Sequence, residues 1–274
     1  MKLLIFGNSH LIGFWDHWHT EFEKIENLEA TLVVSNFLES PVSQCLNSGR
    51  FVHRTDIAPG HLKRLHGNLR DFYFPDERAR QEQPTVVLLF GTGICGEATH
   101  GSMCGGMKTA KFSYHANHQK YLDGQTNVVG PVSDYCLDTM YAHHYAQSAK
   151  LLERWMKVPG LEVVGWVASP NMTESSARMT FGDHIVDSGI LRWHYDKSWV
   201  QCVTQFTAQG LQDYLVNPNE GKVGPNGGLE DKYQFMLGNN HANGEFYASH
   251  IPEVISRILS SNAVLADLPA GANS

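Results

Sequence analysis

Short apolar runs alternate with amphipathic stretches along this chain of 274 residues. The runs at 2–6, 85–90 and 161–168 contain at most one charged residue each, which predicts buried β-strands. Residues 138–157 repeat Tyr, His, Leu and Trp at spacings of three and four, which predicts a helix that stops before Pro159-Gly160. Strands alternating with helices predict an α/β fold, with three α/β/α layers around a central parallel sheet.

Other stretches have weaker patterns. Residues 11–25 suit a helix, and either 31–35 or 51–55 suits an extended segment. Leucines spaced by three and four predict a further helix over 61–72.

The final predicted helix runs from Asn243 to about Leu259. Asn243 is a suitable N-cap, and Pro252 predicts a kink or a short break. The tail beyond Ala263 has no periodicity, so we expect it to fray.

Two glycine-rich stretches interrupt the alternation, at about 92–135 and 170–235. Long irregular segments in a domain are typical of lids or binding loops, or else they conceal short elements. With no internal repeat or linker-like segment, we expect a single domain over 1–274 with these two insertions.

Composition and charge limit the classes of partner and the compartment that we expect. The 21 Lys+Arg against 28 Asp+Glu give a formal charge of −7 without a basic stripe, so nucleic acid is not an expected partner. No apolar run approaches the roughly 18 residues of a membrane span, and the N-terminal run is too short for a signal peptide. Five scattered cysteines suit reduced thiols, so we expect a cytoplasmic protein. The oligomeric state stays open.

Candidate chemistry begins at Gly7-Asn8-Ser9-His10, directly after the first predicted strand. A turn there exposes the Ser9 hydroxyl beside the N–H groups of the next helix, although serine is also a common helix N-cap. A nucleophilic serine needs a base, and His241 lies in a turn before the final helix. Gly7, Gly91 and Ser169 close three strands, which places their turns at the ligand-binding edge of a parallel sheet.

The order of these segments resembles that of the SGNH hydrolases, the GDSL-like esterases and lipases. Gly7-Asn8-Ser9-His10 is similar to the first family block, Ile57-Ala58-Pro59-Gly60 to the second, Gly91-Thr92-Gly93 to the third and His241-Ala242-Asn243 to the last. The resemblance spans about 1–170 and 236–260. It implies Ser9 as nucleophile, His241 as base, and the N–H groups of Ser9 and Gly60 as oxyanion donors.

The chain departs from the family pattern at three positions. Asn8 replaces the first-block aspartate, and Gly93 replaces the asparagine of the oxyanion hole, for which Asn36 or Asn171 could compensate. Gly238 stands where the family has the aspartate that orients the base. A Ser–His dyad, or orientation by one of three nearby residues, would then operate; the three are Asn239, Asn240 and Asp231.

The resemblance implies a serine hydrolase that acts on an O-acyl or O-acetyl ester without a cofactor. An O-acyltransferase and a binding module with a degraded site are the alternatives. The resemblance favours a carbohydrate ester, and Trp193, Tyr195 and Trp199 could stack on sugar rings. Their alternate spacing is also typical of one face of a strand.

The sequence also contains partial signals for two other classes of site, a dinucleotide site and a metal site. Gly91-x-Gly93-x-x-Gly96 formally matches a dinucleotide fingerprint, but a glycine-broken stretch follows it instead of a helix. Three histidine groups could offer imidazoles to a metal, but none has a carboxylate at a signature spacing. They are His17-x-His19, His115-x-x-His118 and His143-His144. We therefore predict no metal site.

Overall fold

A computed structural model gives the fold. The residues it describes are 2–7, 10–11, 13–14, 21, 24–25, 29–34, 63–64, 85–90, 134–158, 161–181, 183–187, 189–235 and 241–266.

Within the described ranges, six strands form one sheet in which every pair of neighbours is parallel. They are β1 (Lys2–Gly7), β2 (Glu29–Val34), β3 (Lys63–Arg64), β4 (Thr85–Phe90), β5 (Leu161–Val167) and β6 (Leu215–Val216). The spatial order is β3-β2-β1-β4-β5-β6. The parallel sheet confirms the α/β prediction, as do the three apolar runs that became β1, β4 and β5. Of the two candidate extended segments, the first became β2, and 51–55 lies outside the described residues.

Six α-helices have both of their bounds within the described residues. They are α1 (Asp134–Met156), α2 (Glu174–Phe181), α3 (Asp183–Asp187), α4 (Ile190–Thr207), α5 (Gly244–Ala248) and α6 (Ile251–Ala266). The helix predicted over 138–157 is confirmed as α1. The final predicted helix is confirmed as two helices, since α5 and α6 are separated by Ser249 and His250, just before Pro252. Between Leu11 and Glu21, the described positions are helical.

Helices pack against both faces of β1. Leu3 and Ile5 point to one face and belong to the buried cluster that includes Ile258 of α6. Phe6, which points to the other face, meets Trp155 of α1 with ring centroids 5.3 Å apart. Because successive side chains of a strand alternate between faces, β1 is covered on both sides.

Three sequence expectations are corrected. The helix predicted over 61–72 is wrong at Lys63–Arg64, which pair with Val33 and Val34 as β3. Ladder hydrogen bonds at a sheet edge override a leucine periodicity there. The stretch 170–235 was expected to be a lid or binding loop, or else to conceal short elements, but it contains the 18-residue α4 in addition to the shorter α2 and α3. The frayed tail expected beyond Ala263 is also wrong in part, since α6 continues to Ala266.

The carboxyl ends of the central strands lie at one edge. The register aligns Gly7 with Phe90, Phe90 with Val167, and Val167 with Val216. Strand order reverses direction between β1 and β4, and in open α/β sheets ligands bind outside such a reversal. The turn that follows Gly7 therefore begins at the favoured place for a site.

Candidate active site

The turn after β1 packs directly on the segment that carries His241. A Cβ atom built on Gly13 would lie 1.9 Å from the carbonyl oxygen of Ala242. The Tyr247 hydroxyl donates to the carbonyl of His10 at 3.5 Å, and the Phe14 and Tyr247 rings meet edge to face at 5.4 Å. Burial raises the pKa of Tyr247, so its hydroxyl stays protonated as a donor. The start of the chain and α5 are thus held together.

This packing brings two histidines into contact. The rings of His10 and His241 have centroids 4.8 Å apart, at 36° to each other. His10 is buried at 4% exposure, and His241 is half-buried. His10 directly follows Ser9 in the chain, so the base that the sequence predicts lies beside the residue next to the predicted nucleophile.

Main-chain pairing fixes the His241 segment. Phe235 donates its N–H to the carbonyl of His241 at 3.1 Å, and Asn243 donates to the carbonyl of Tyr233 at 2.9 Å. The Asn243 side chain accepts from the N–H of Phe246 at 3.3 Å and donates to the carbonyl of Lys232 at 2.7 Å. Asn243 is therefore the predicted N-cap of α5 and also a tie to the preceding turn.

Most of the other predicted site residues lie outside the described residues. These are Ser9, Gly60, Gly93, Asn239 and Asn240, together with Asn8, Asn36 and Gly238. The helix that the sequence predicts directly after Gly60 is not what the structure has at Lys63–Arg64. The roles of all these residues stay predictions.

Two predicted residues within the described part have other partners. Both carboxylate oxygens of Asp231 accept hydrogen bonds from Ser175, one from its N–H at 3.2 Å and one from its hydroxyl. Asn171 is buried, with its amide donating to the carbonyl of Gly227 and its oxygen accepting from the N–H of Met172 at 3.0 Å. Asp231 thus binds the start of α2, and Asn171 connects two loops.

The sequence did not predict a buried lysine that contacts the residues directly after α5. Lys222 is 8% exposed, and its ammonium donates to the carbonyl of Pro218 at 2.8 Å and the hydroxyl of Ser249 at 2.7 Å. Its Nζ also lies 3.2 Å from Nδ1 of His250. Burial lowers the pKa of Lys222 to about 8. Burial, followed by the charge of Lys222, lowers the pKa of His250. No spacing in the sequence indicates this cluster.

A cleft of about 420 Å³ lies beyond the carboxyl end of β6. One wall is the α4 face with Arg192, Tyr195 and Trp199, and the other comes from residues 217–223. The prediction that Trp193, Tyr195 and Trp199 share a strand face is wrong, because α4 is a helix. On a helix the spacing of four puts Tyr195 and Trp199 on one face, and Trp193 turns toward Lys197 instead. The helical spacing was the signal that could have revealed this wall.

No group of three or more His, Cys, Asp and Glu side chains within the described residues is arranged to hold a metal ion. His143 and His144 lie on α1, whereas the other two histidine groups and the glycine fingerprint fall outside the described residues. Burial raises the pKa of the Cys202 thiol to about 12, as expected of a buried, unreactive cysteine. No described helix is both long and apolar enough to cross a membrane.

Comparisons with known proteins include a distant structural likeness. No protein-family model matches the chain, and no curated protein matches it. Among solved structures, the chain is similar to the crystal structure of a GDSL-like lipase from Bacteroides thetaiotaomicron VPI-5482. The identity is 13% and the TM-score 0.45, over 95% of this chain and 88% of that one. At this identity the likeness assigns no role to any residue of this chain.

Proposed function

We propose that the protein is a serine hydrolase that cleaves an O-acyl ester with Ser9 as nucleophile and His241 as general base. The observation that carries the proposal is the contact between His241 and His10, the residue after Ser9. The turn after β1 also begins at the reversal of strand order, where α/β folds bind ligands.

The chemistry follows the pattern of serine acyl transfer. The Ser9 oxygen attacks the ester carbonyl carbon while His241 accepts the hydroxyl proton, and the N–H groups of Ser9 and Gly60 stabilise the oxyanion. The carbon–oxygen bond to the alcohol breaks, and the proton on His241 passes to that alcohol. Water then adds to the acyl-enzyme, with His241 again taking a proton, and the acid leaves as Ser9 is regenerated.

The group that orients His241 must differ from the one in the SGNH hydrolases that the sequence resembles, because Gly238 replaces their aspartate. Because Asp231 binds Ser175, we propose a Ser–His dyad in which Asn239, Asn240 or a backbone carbonyl holds the imidazole. A dyad without a carboxylate stabilises the imidazolium less, so we expect slower turnover than a triad gives.

Labelling by a fluorophosphonate tests the proposal. Intact mass and peptide mapping should show one adduct at Ser9 in the wild type and none in Ser9→Ala. His241→Ala should label at least about 10²-fold more slowly, the usual scale for losing a general base. His143→Ala is the matched control, since His143 is exposed on α1, and it should label like the wild type.

The outcome separates the alternatives. Absence of any adduct in the folded wild type would refute the hydrolase and favour the binding module. If Ser9 labels, incubating an acyl ester with and without an acceptor alcohol distinguishes hydrolysis from acyl transfer by the product formed.

A further inference from the structure

The cleft beyond β6 combines one aromatic wall with one polar wall. Trp199 is half-buried and packs against the pair Ala168 and Tyr195, which fixes the indole in place. Asn217 and Glu220 face it from the segment after β6. We propose that this cleft, hereafter the β6 cleft, is a binding site for a neutral sugar ring.

The aromatic wall supplies the apolar part of such recognition. A sugar ring presents a face of C–H groups, and a rigid indole gives it a flat apolar surface at little cost in conformational entropy. Arg192 lies over the Tyr195 ring, 5.9 Å from its centroid, so Trp199 is the better platform.

The polar groups of the cleft suit hydroxyls better than ions. The Arg192 guanidinium is already paired with Asp196 at 2.9 Å, which reduces its attraction for an anion. Glu220 is exposed, so water screens its carboxylate. Sugar hydroxyls both donate and accept, which matches an amide, a carboxylate and a guanidinium at once.

Two buried polar residues hold the polar wall before any ligand arrives. Asn219 is fully buried, donating to the carbonyl of Ser169 at 2.9 Å and accepting from the N–H of Asn171 at 2.7 Å. Lys222 anchors the same segment on its other side through Pro218 and Ser249. A preformed wall lowers the ordering cost of binding, as is typical of ligand sites.

The position of the cleft relates it to the proposed ester chemistry. β6 is separated from β1 by three strand spacings, or about 14 Å at the usual distance between strands. The sugar bound there would thus belong to a chain that carries the ester some way off. That connection rests on the proposed function, whereas sugar binding itself does not.

Calorimetric titration of the full chain tests the inference. The probes are three neutral oligosaccharides, cellotetraose, xylotetraose and tetra-N-acetylchitotetraose, with tetragalacturonate as the anionic comparison. We expect at least one neutral probe to bind and Trp199→Ala to weaken it about tenfold or more, as for an aromatic anchor. Trp193→Ala is the matched control, since Trp193 lies on α4 outside the cleft, and it should bind like the wild type.

Two further variants keep the test decisive if Trp199→Ala folds poorly. Trp199→Phe should retain most of the binding, and Asn217→Ala should lose several-fold. The inference is overturned if no neutral probe binds at up to about 10 mM, if tetragalacturonate binds best, or if Trp193→Ala and Trp199→Ala weaken binding equally. Ser9→Ala should bind the oligosaccharide probes like the wild type. Sugar binding can therefore be confirmed or overturned whether or not Ser9 is labelled by the fluorophosphonate.

Discussion

Gly13 lies where the helix after β1 closely approaches the backbone of the His241 segment. It lies in the helix after β1, where alanine is intrinsically better than glycine by roughly 0.5–1 kcal/mol. A methyl group there would overlap the Ala242 backbone, which cannot rotate away as a side chain could. Local propensity and tertiary packing therefore predict opposite signs for the same substitution.

We expect packing to dominate in Gly13→Ala. The variant should lose about 1–3 kcal/mol in the free energy of unfolding, the usual cost of overpacking, and its Ser9 should label more slowly. Urea denaturation and the fluorophosphonate rate measure the two effects. Gly224→Ala is the control, because a Cβ there comes no closer than 3.4 Å to another atom. A Gly13→Ala variant more stable than the wild type would contradict the close approach of Gly13 to the Ala242 backbone.

Lys222 should make the free energy of unfolding depend on pH in the alkaline range. Burial lowers its pKa from 10.5 to about 8, so between these values the folded protein binds fewer protons than the unfolded chain. Stability contributed by this group therefore rises as pH increases from about 8 to 10.5. The difference in unfolding free energy between the wild type and Lys222→Met should grow over that interval. A constant difference would show that the amine is not desolvated.

At the scale of elements, Asn243 joins two functions in one side chain. Its oxygen caps α5, and its amide group binds the turn before His241. The sequence indicates the cap, because asparagine precedes an apolar helical pattern. It does not indicate the tie to Lys232, since nothing local specifies which carbonyl lies within reach.

Two substitutions separate these functions. Asn243→Ala should lose about 1 kcal/mol from the cap and also slow Ser9 labelling. Asn243→Asp keeps the accepting oxygen but loses the amide donor, so α5 should stay capped while labelling still slows. Thermal unfolding and the labelling rate are the measurements. Equal labelling rates in Asn243→Asp and the wild type would show that the Asn243 amide group does not help to position His241.

The final helix illustrates how far a pattern determines an element. Ile258 of α6 is fully buried in the cluster with Leu3 and Ile5, whereas its neighbour Leu259 is 44% exposed. Ile258→Ala should cost about 2–5 kcal/mol in unfolding free energy, and Leu259→Ala about 0.5 kcal/mol or less. Similar losses in both variants would contradict the assigned face.

Across the whole molecule, the sequence predicted what depends on local pattern. The predominantly apolar runs became β1, β4 and β5 because buried parallel strands favour nearly continuous apolar residues. The pairing of Lys63–Arg64 with β2 and the helix α4 escaped prediction. A two-residue edge strand has no periodicity of its own. Aromatic residues two and four apart fit one face of a strand, and only the spacing of four also fits one face of a helix.

The candidate site could be predicted only in part, for a similar reason. His241 could be proposed because it precedes a recognisable helix, and the reversal of strand order near β1 agrees with the predicted edge. The contact with His10 spans most of the chain, and the engagement of Asp231 by Ser175 depends on the fold of α2. Neither pairing has a local signal.

The burial of Lys222 also gives the protein an internal reporter. An amine enclosed by Pro218, Ser249 and His250 is shielded from acylating reagents while the segment after β6 is closed. Its modification in a time-resolved lysine footprint would therefore record local opening of that segment, and exposed Lys150 in the same digest would serve as the internal clock. A ligand that holds the segment closed should then slow acylation of Lys222 selectively.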